Sequence, residues 1–344
     1  METKFDLSVS HHSSLITLQK SRRPCGSMLE IKESIVWKRA RGRAKERKKE
    51  RERKIVKEKE RACYSLFLFI ADGLIMFGSA IHDGLSLRDP ALLGWVAALA
   101  VNYFALRSLL VAKGMFATKI KKSGTVGYDL VSYLVVSFCF TGYCAVVGTQ
   151  MFFGAQGEAL QKGGFYAPSD EVKYQLVVPM LAYQFANFLI CAKLKEYRTA
   201  SFIGHHLVTA ALAYFATAPY LLYYGLFFFG VAEISSVPLN IVDLFKSFPE
   251  LGEAHPSTNA FFRYVFVLSF FSIRVVAWPI VSYSFWMGSI ELLRAGTSHS
   301  DFVVVFFLLA NIFLTGLQFF WAYLISRQLY KMIFGKKQPK KKST

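Results

Sequence analysis

Long apolar runs separated by short polar loops make up most of the chain after residue 62. Each run is long enough to cross a hydrocarbon core of about 30 Å as an α-helix, with tilt or local thinning of the bilayer for the shorter ones. The runs are residues 63–81, 91–112, 128–149, 174–192, 201–218, 220–243, 261–286 and 302–328. The pattern therefore predicts an all-α polytopic membrane protein with about eight transmembrane helices. The fifth and sixth runs are predicted to form a tight hairpin.

The composition agrees with this class and excludes a single large soluble domain. Hydrophobic residues make up 53% of the chain, 33 residues are Phe, and the mean hydropathy is +0.33. Charged residues make up 19%, against about 25% in a typical soluble domain, and much of this charge falls within residues 1–61.

The net charge of +18 follows a topological pattern rather than the pattern of a nucleic-acid-binding surface. Lys and Arg collect at the chain ends and in the loops 113–127 and 193–200, whereas the alternate loops carry few of them. Cytoplasmic loops of membrane proteins have this excess of positive charge. We therefore predict that both termini are cytosolic and that nucleic acid is not a partner.

The two ends of the chain differ from the apolar region between them. Residues 1–61 are predicted to be a basic, largely disordered cytosolic segment, in which residues 32–61 hold 15 Lys or Arg against 6 Glu. Such a segment beside a membrane is attracted to anionic lipid, although a role in setting topology is the simpler interpretation. The basic tail 332–344 ends in "KKST", which resembles a dilysine retrieval signal and predicts residence in the endoplasmic-reticulum membrane.

Several polar side chains interrupt the apolar runs near their cytosolic ends. His205 and His206, in "FIGHHLVTAALAYF", lie about 6–8 Å below the start of the fifth run. Tyr183 and Asn187 in the fourth run, and Asn240 in the sixth, are predicted at comparable depths. Lipid would leave these groups unsatisfied, so they are expected to face the helix bundle or a wet cavity. A helix–helix hydrogen bond is the alternative interpretation for the histidines.

Two opposite charges lie deeper. Glu233 in the sixth run and Arg274 in the seventh are both predicted near the midplane, where an unpaired charge is costly, so we predict that they pair. Pro238 follows Glu233 closely and is expected to kink the sixth helix.

Three segments resemble the TLC-domain family, which includes the ceramide synthases. They are "KLKEYRTASFIGHHLVTAALAYF", "YYGLFFFGVAEISSVPLN" and "FFSIRVVAWP". The likeness covers residues 122–331 and implies a six-helix barrel around a cavity for a lipid or acyl chain, preceded by two further helices in residues 62–121. By this resemblance His205 and His206 become candidate catalytic residues. The candidate lipid-binding residues are Tyr183, Asn187, Thr209, Glu233, Asn240 and Arg274.

The chain departs from the ceramide-synthase pattern at one informative place. His205, His206 and Thr209 match the "HHxxT" part of that pattern, but the "HDxxD" box that follows falls on Ala232, Glu233 and Ser236. The chain is therefore more similar to the TLC-domain branch that does not contain ceramide synthases.

Three functions remain open from the sequence. The first is a role in lipid homeostasis, by binding or modifying a lipid or fatty acyl chain within the membrane. The second is an acyl-CoA-dependent acyltransferase with His205 or His206 as base. The third is a cargo or scaffold protein of the early secretory pathway. No metal site or cofactor is predicted, and acyl-CoA would be required only by the acyltransferase.

The tail makes the predicted location testable. Replacing both Lys341 and Lys342 by Ser is expected to release the protein to later secretory compartments, as measured by microscopy with compartment markers. Replacing Lys336 and Lys337 is the matched control and is expected to leave the location unchanged. An unchanged location of the Lys341/Lys342 variant would mean that the tail acts only on topology.

Overall fold

The computed structural model describes residue 50 and residues 85–334 apart from 121, 122, 192 and 219. The chain divides into two units, Met1–Ala71 and Asp72–Thr344. Apart from Glu50, the described residues all belong to the second unit. The predicted first span at 63–81, most of the basic segment 1–61 and the tail from 335 onwards lie outside the described residues.

Helix α1, Pro90–Ala112, and helix α2, Gly127–Phe153, open the described region. Asp89 caps α1, because its side chain accepts hydrogen bonds from the backbone N–H groups of residues 91 and 92, and Pro90 occupies the first helical position. Arg107 of α1 bonds Asp129 of α2 at 2.6 Å, which joins the two helices near the loop between them.

Two shorter helical regions follow. Helix α3 spans Ala155–Gly163, and helix α4, Val178–Cys191, continues directly from a π-helical segment at Lys173–Val177. Helix α5, Ala200–Phe215, is capped by Thr199, whose hydroxyl accepts the N–H of Phe202. The fifth run therefore ends three residues earlier than the predicted position 218, where the chain enters the hairpin.

Helix α6, Leu222–Ser247, is irregular in its first half. After one α-helical turn, Leu222–Gly225, a π-helical segment, Leu226–Gly230, is followed by a 3₁₀ segment, Val231–Ser235, and regular α-helix resumes at Ser236–Ser247. The irregularity thus lies before Pro238. This is its expected side, because proline clashes with the carbonyl four residues earlier and leaves it unbonded.

Helix α7, Pro256–Ala295, and helix α8, Asp301–Phe334, complete the described region. Helix α7 has Pro256 at its first position, contains a π-helical segment at Phe271–Ala277, and is capped at its C-terminal end by Gly296, whose φ is +64°. At 40 residues it is about 60 Å long, well beyond one bilayer core.

The apolar length of these helices confirms an all-α polytopic membrane protein. Within the described residues, five helices are long and apolar enough to cross a membrane, namely α1, α2, α6, α7 and α8. The predicted fourth and fifth spans are also helical, although α5 has only 16 residues. The total of eight spans stays a prediction.

The helices pack in a defined order. Taken as α2, α4, α5, α8, α7 and α6, each contacts the next, and α6 contacts α2. Helix α1 packs against α2 and α4. Large apolar side chains on the outer faces of α7 and α8 remain exposed, such as Leu268, Tyr264 and Leu309. These faces suit contact with lipid. The barrel around a lipid cavity stays a prediction.

Helices α2 and α6 meet at two glycines. A Cβ atom built on Gly148 would overlap the Cα atom of Gly230, and a Cβ on Gly230 would overlap Gly148. The backbones approach so closely here that no side chain fits, which is a common way for membrane helices to pack.

This contact predicts the effect of a single methyl group. Gly148→Ala is expected to destabilise the fold by about 1–3 kcal/mol, because the helices must separate to admit it. The measurement is thermal unfolding of detergent-solubilised protein. Gly142→Ala lies on the same helix, with nothing within 4 Å of its added Cβ, and is expected to have no destabilising effect. Equal losses in both variants would refute the role assigned to the contact.

Candidate functional site

His206 is held by two side chains of the neighbouring helix α4. Its Nδ1 donates to Gln184 Oε1 at 2.6 Å, because an amide oxygen only accepts. Its Nε2 is then the acceptor, and the Asn187 amide nitrogen lies 3.4 Å from it and 3.1 Å from Nδ1. Gln184 and Asn187 are each only 2% exposed. Both ring nitrogens of His206 are therefore committed to packing α5 against α4.

The ring of His206 is also enclosed by aromatic contacts. The Phe202 ring lies 4.1 Å away between centroids, and Phe202 in turn contacts Tyr197 in the preceding loop. That loop is anchored by Glu196, which accepts hydrogen bonds from Ser123 and Thr125. The position of His206 thus depends on the loop before α5 as well as on α4.

His205 is placed differently from its neighbour. Its Nδ1 is buried and has no hydrogen-bond partner. The two histidine rings are 5.1 Å apart at an interplanar angle of 78°, and the ring of Trp321, on α8, lies 5.5 Å from the ring of His205. His205 therefore has hydrogen-bonding capacity that the protein does not use.

The predicted pair of Glu233 and Arg274 is confirmed. Their side chains approach to 3.3 Å, with Arg274 8% and Glu233 16% exposed. Arg274 also donates to the hydroxyls of Ser235 and Ser236. A fourth bond runs from Arg274 to the backbone carbonyl of Ala232 at 2.9 Å. Arg274 lies on the π-helical segment of α7. Its guanidinium thus supplies hydrogen bonds to acceptors in and next to the irregular 3₁₀ segment of α6.

The other candidate residues are joined through helix α2. Tyr183 of α4 bonds the hydroxyl of Ser137 at 2.8 Å. Asn240 of α6 donates to Thr141 at 3.3 Å, and Thr141 lies one turn after Ser137. Thr209 instead donates to the carbonyl of His205 on its own helix, at 2.8 Å.

The structure therefore brings the candidate residues together in local pairs rather than in one cluster. Sequence reasoning did not identify Gln184, Ser137, Thr141, Ser235 or Ser236. Gln184 precedes Asn187 by three residues, and Ser137 precedes Thr141 by four, so each pair shares one helix face. This spacing is the signal that could have identified them.

No metal centre is evident in this region. Among the residues that the structure describes, no group of three or more His, Cys, Asp or Glu is placed to hold a metal ion. What the arrangement offers is one buried imidazole with an unused nitrogen, surrounded by neutral hydrogen-bonding groups and one neutralised ion pair.

Comparisons with known proteins identify the domain. A family model described as the TLC domain matches residues 122–327, which is more than half of the chain. The match is to the family as a whole, so the branch within it stays a prediction. Neither the curated proteins nor the solved structures contain a match.

The ion pair predicts an asymmetric result. Arg274→Gln is expected to lower stability by about 3–5 kcal/mol, because it leaves a buried carboxylate and several acceptors unpaired. Glu233→Gln is expected to cost less, since its amide oxygen still accepts from Arg274. In the double variant the loss should be smaller than the sum. Folded yield and thermal unfolding are the measurements.

Arg263→Gln provides the control on the same helix. Arg263 donates to a neighbouring amide, Asn259, at 2.8 Å and has no salt bridge among the described residues, so its loss should cost at most about 1 kcal/mol. Strictly additive losses for Glu233 and Arg274 would show that the two charges are not coupled.

Proposed function

Because the chain belongs to the TLC-domain family, we propose that it is a membrane protein of lipid homeostasis that binds or modifies a lipid or acyl chain at His205. The endoplasmic reticulum is the proposed location, with both termini cytosolic, on the strength of the loop charges and the "KKST" tail.

The observation that carries this proposal is the difference between the two histidines. His206 uses both nitrogens within the protein, whereas the buried Nδ1 of His205 has no partner. Buried polar groups are normally satisfied, so an unsatisfied one in an otherwise bonded region favours a group that a ligand completes. His205 is therefore assigned to the ligand and His206 to its support.

Binding is proposed ahead of acyl transfer because of Glu233. It occupies the acidic position that the resemblance associates with the ceramide-synthase box, and it is bonded to Arg274. Its charge supports the fold of α6, which favours a structural use of that carboxylate. If the site does carry out chemistry, His205 is the base, and its contribution to the rate would be about 10²–10⁴-fold.

Lipid that co-purifies with the protein tests the assignment. His205→Ala is expected to fold normally and to lose at least about 90% of specifically retained lipid, as measured by mass spectrometry. His206→Ala is expected to reduce folded yield, because it leaves the buried Gln184 and Asn187 without their partner. The expected loss of stability is about 1–3 kcal/mol. The exposed His255→Ala is the matched control and should behave as wild type.

A further variant separates binding from catalysis. In His205→Gln an amide replaces the hydrogen bond of a neutral imidazole but not its proton transfer. Retained lipid with a normal cellular lipid profile would indicate binding, whereas retained lipid with an abnormal profile would indicate chemistry. Wild-type lipid content in His205→Ala would refute the proposal.

A further inference from the structure

Helix α8 carries a stripe of polar side chains along an otherwise apolar sequence. Asn311, Thr315 and Gln318 are spaced by four and three residues, so they lie on one face of the helix. Trp321, three residues further on, continues the same face and contacts His205.

The first two members of the stripe have partners on helix α7. Asn311 accepts from the indole N–H of Trp286 at 3.1 Å and donates to Ser282 at 3.1 Å. Thr315 accepts from the indole N–H of Trp278 at 2.9 Å. These bonds hold the antiparallel helices α7 and α8 in register.

Gln318 breaks the pattern. It is 0% exposed, yet neither its amide nitrogen nor its amide oxygen has a hydrogen-bond partner. An amide buried without partners loses its hydration and gains nothing in return. The two N–H donors and the acceptor oxygen of this side chain are thus left for another group.

The register places Gln318 beside the part of α7 that carries Arg274. Ser282 and Trp286 face Asn311, and Trp278 faces Thr315, so the next turn of α7 towards Gln318 is the π-helical segment that carries Arg274. Arg274 is turned to the acceptors of α6. On the other side α8 packs against α5, which carries His205.

We propose that Gln318 is a further ligand-binding residue, which together with His205 recognises an uncharged lipid polar group carrying both a carbonyl acceptor and a hydroxyl donor. The inference rests on the function proposed above for His205. A partial glyceride such as diacylglycerol has this chemistry, whereas a fully esterified triacylglycerol has carbonyls but no donor.

The charges around Gln318 favour an uncharged group. The cation of the α7 segment that packs against α8, Arg274, is paired with Glu233 and bonded to three further acceptors, so its charge is already compensated. A neutral carbonyl and hydroxyl can complete the amide of Gln318 and the Nδ1 of His205 without adding a buried charge.

A ligand reaches Gln318 only when the helices around it part, because the side chain has no exposed surface. Helices α5 and α8 offer such a seam. The ring of Phe313, itself 41% exposed, lies over Gly204, where a Cβ atom would be 3.3 Å from the ring. Gly204 places no side chain of its own against this ring.

Photo-crosslinking tests the proposal on the full-length protein in phosphatidylcholine nanodiscs. The probes are a diazirine-bearing diacylglycerol and its triacylglycerol counterpart. Wild type is expected to be labelled at least tenfold more by the first. Gln318→Leu is expected to lose that labelling at least tenfold, while its melting temperature stays equal or rises by a few degrees, because the substitution removes an unsatisfied amide.

Thr315→Val is the matched control, one turn away on the same face. It leaves the indole N–H of Trp278 without its acceptor, so it should lower the melting temperature and keep the labelling. The two variants are thus expected to show opposite combinations of stability and labelling, which a purely structural role of Gln318 would not produce.

Each other outcome overturns a defined statement. If Gln318→Leu is labelled as wild type while His205→Ala is not, Gln318 is a packing residue and the proposed function stands. If His205-dependent lipid co-purifies but the diacylglycerol probe does not label wild type, the assigned lipid class is wrong. If neither probe labels wild type and no lipid depends on His205, both proposals fail.

Discussion

The guanidinium of Arg274 is the interaction on which the centre of the described fold depends. In a bilayer no water satisfies backbone groups that leave regular helical bonding, so a helix can be irregular only where the protein supplies partners. The first half of α6 passes through π and 3₁₀ segments, and Arg274 donates to a carbonyl and two hydroxyls within and beside them. Glu233 neutralises its charge at the same place.

The packing of α6 against α2 follows from the same irregular segment. Gly230, at the end of the π-helical turns, has φ and ψ of −112° and −82°, and it meets Gly148 without any intervening side chain. Below this contact, Asn240 is bonded to Thr141 of α2. Close backbone approach and buried hydrogen bonds together hold the two helices against each other. The hydrophobic effect alone would not pair them, because lipid tails are as apolar as the faces of the helices.

The functional interest of the site lies in which polar groups this network leaves unused. His206, Arg274, Asn240 and Tyr183 all have partners within the protein. His205 and Gln318 retain buried atoms that have none. The adjacent residues His205 and His206 thus take opposite roles. Their side chains point about 100° apart, that of His206 towards α4 and that of His205 towards α8.

The sequence by itself determined the membrane class and the family, because helix-length apolar runs and three motif segments are properties of the linear chain. It also determined that Glu233 and Arg274 pair, since an unpaired charge near mid-membrane depth is costly in free energy and pairing two opposite charges lowers that cost. Only the tertiary structure decided which histidine is committed, that α6 departs from α-helix before Pro238, and that Gln318 differs from Asn311 and Thr315. Those distinctions depend on which neighbouring helix each helix face contacts. The spacing of residues along one helix does not identify that neighbouring helix.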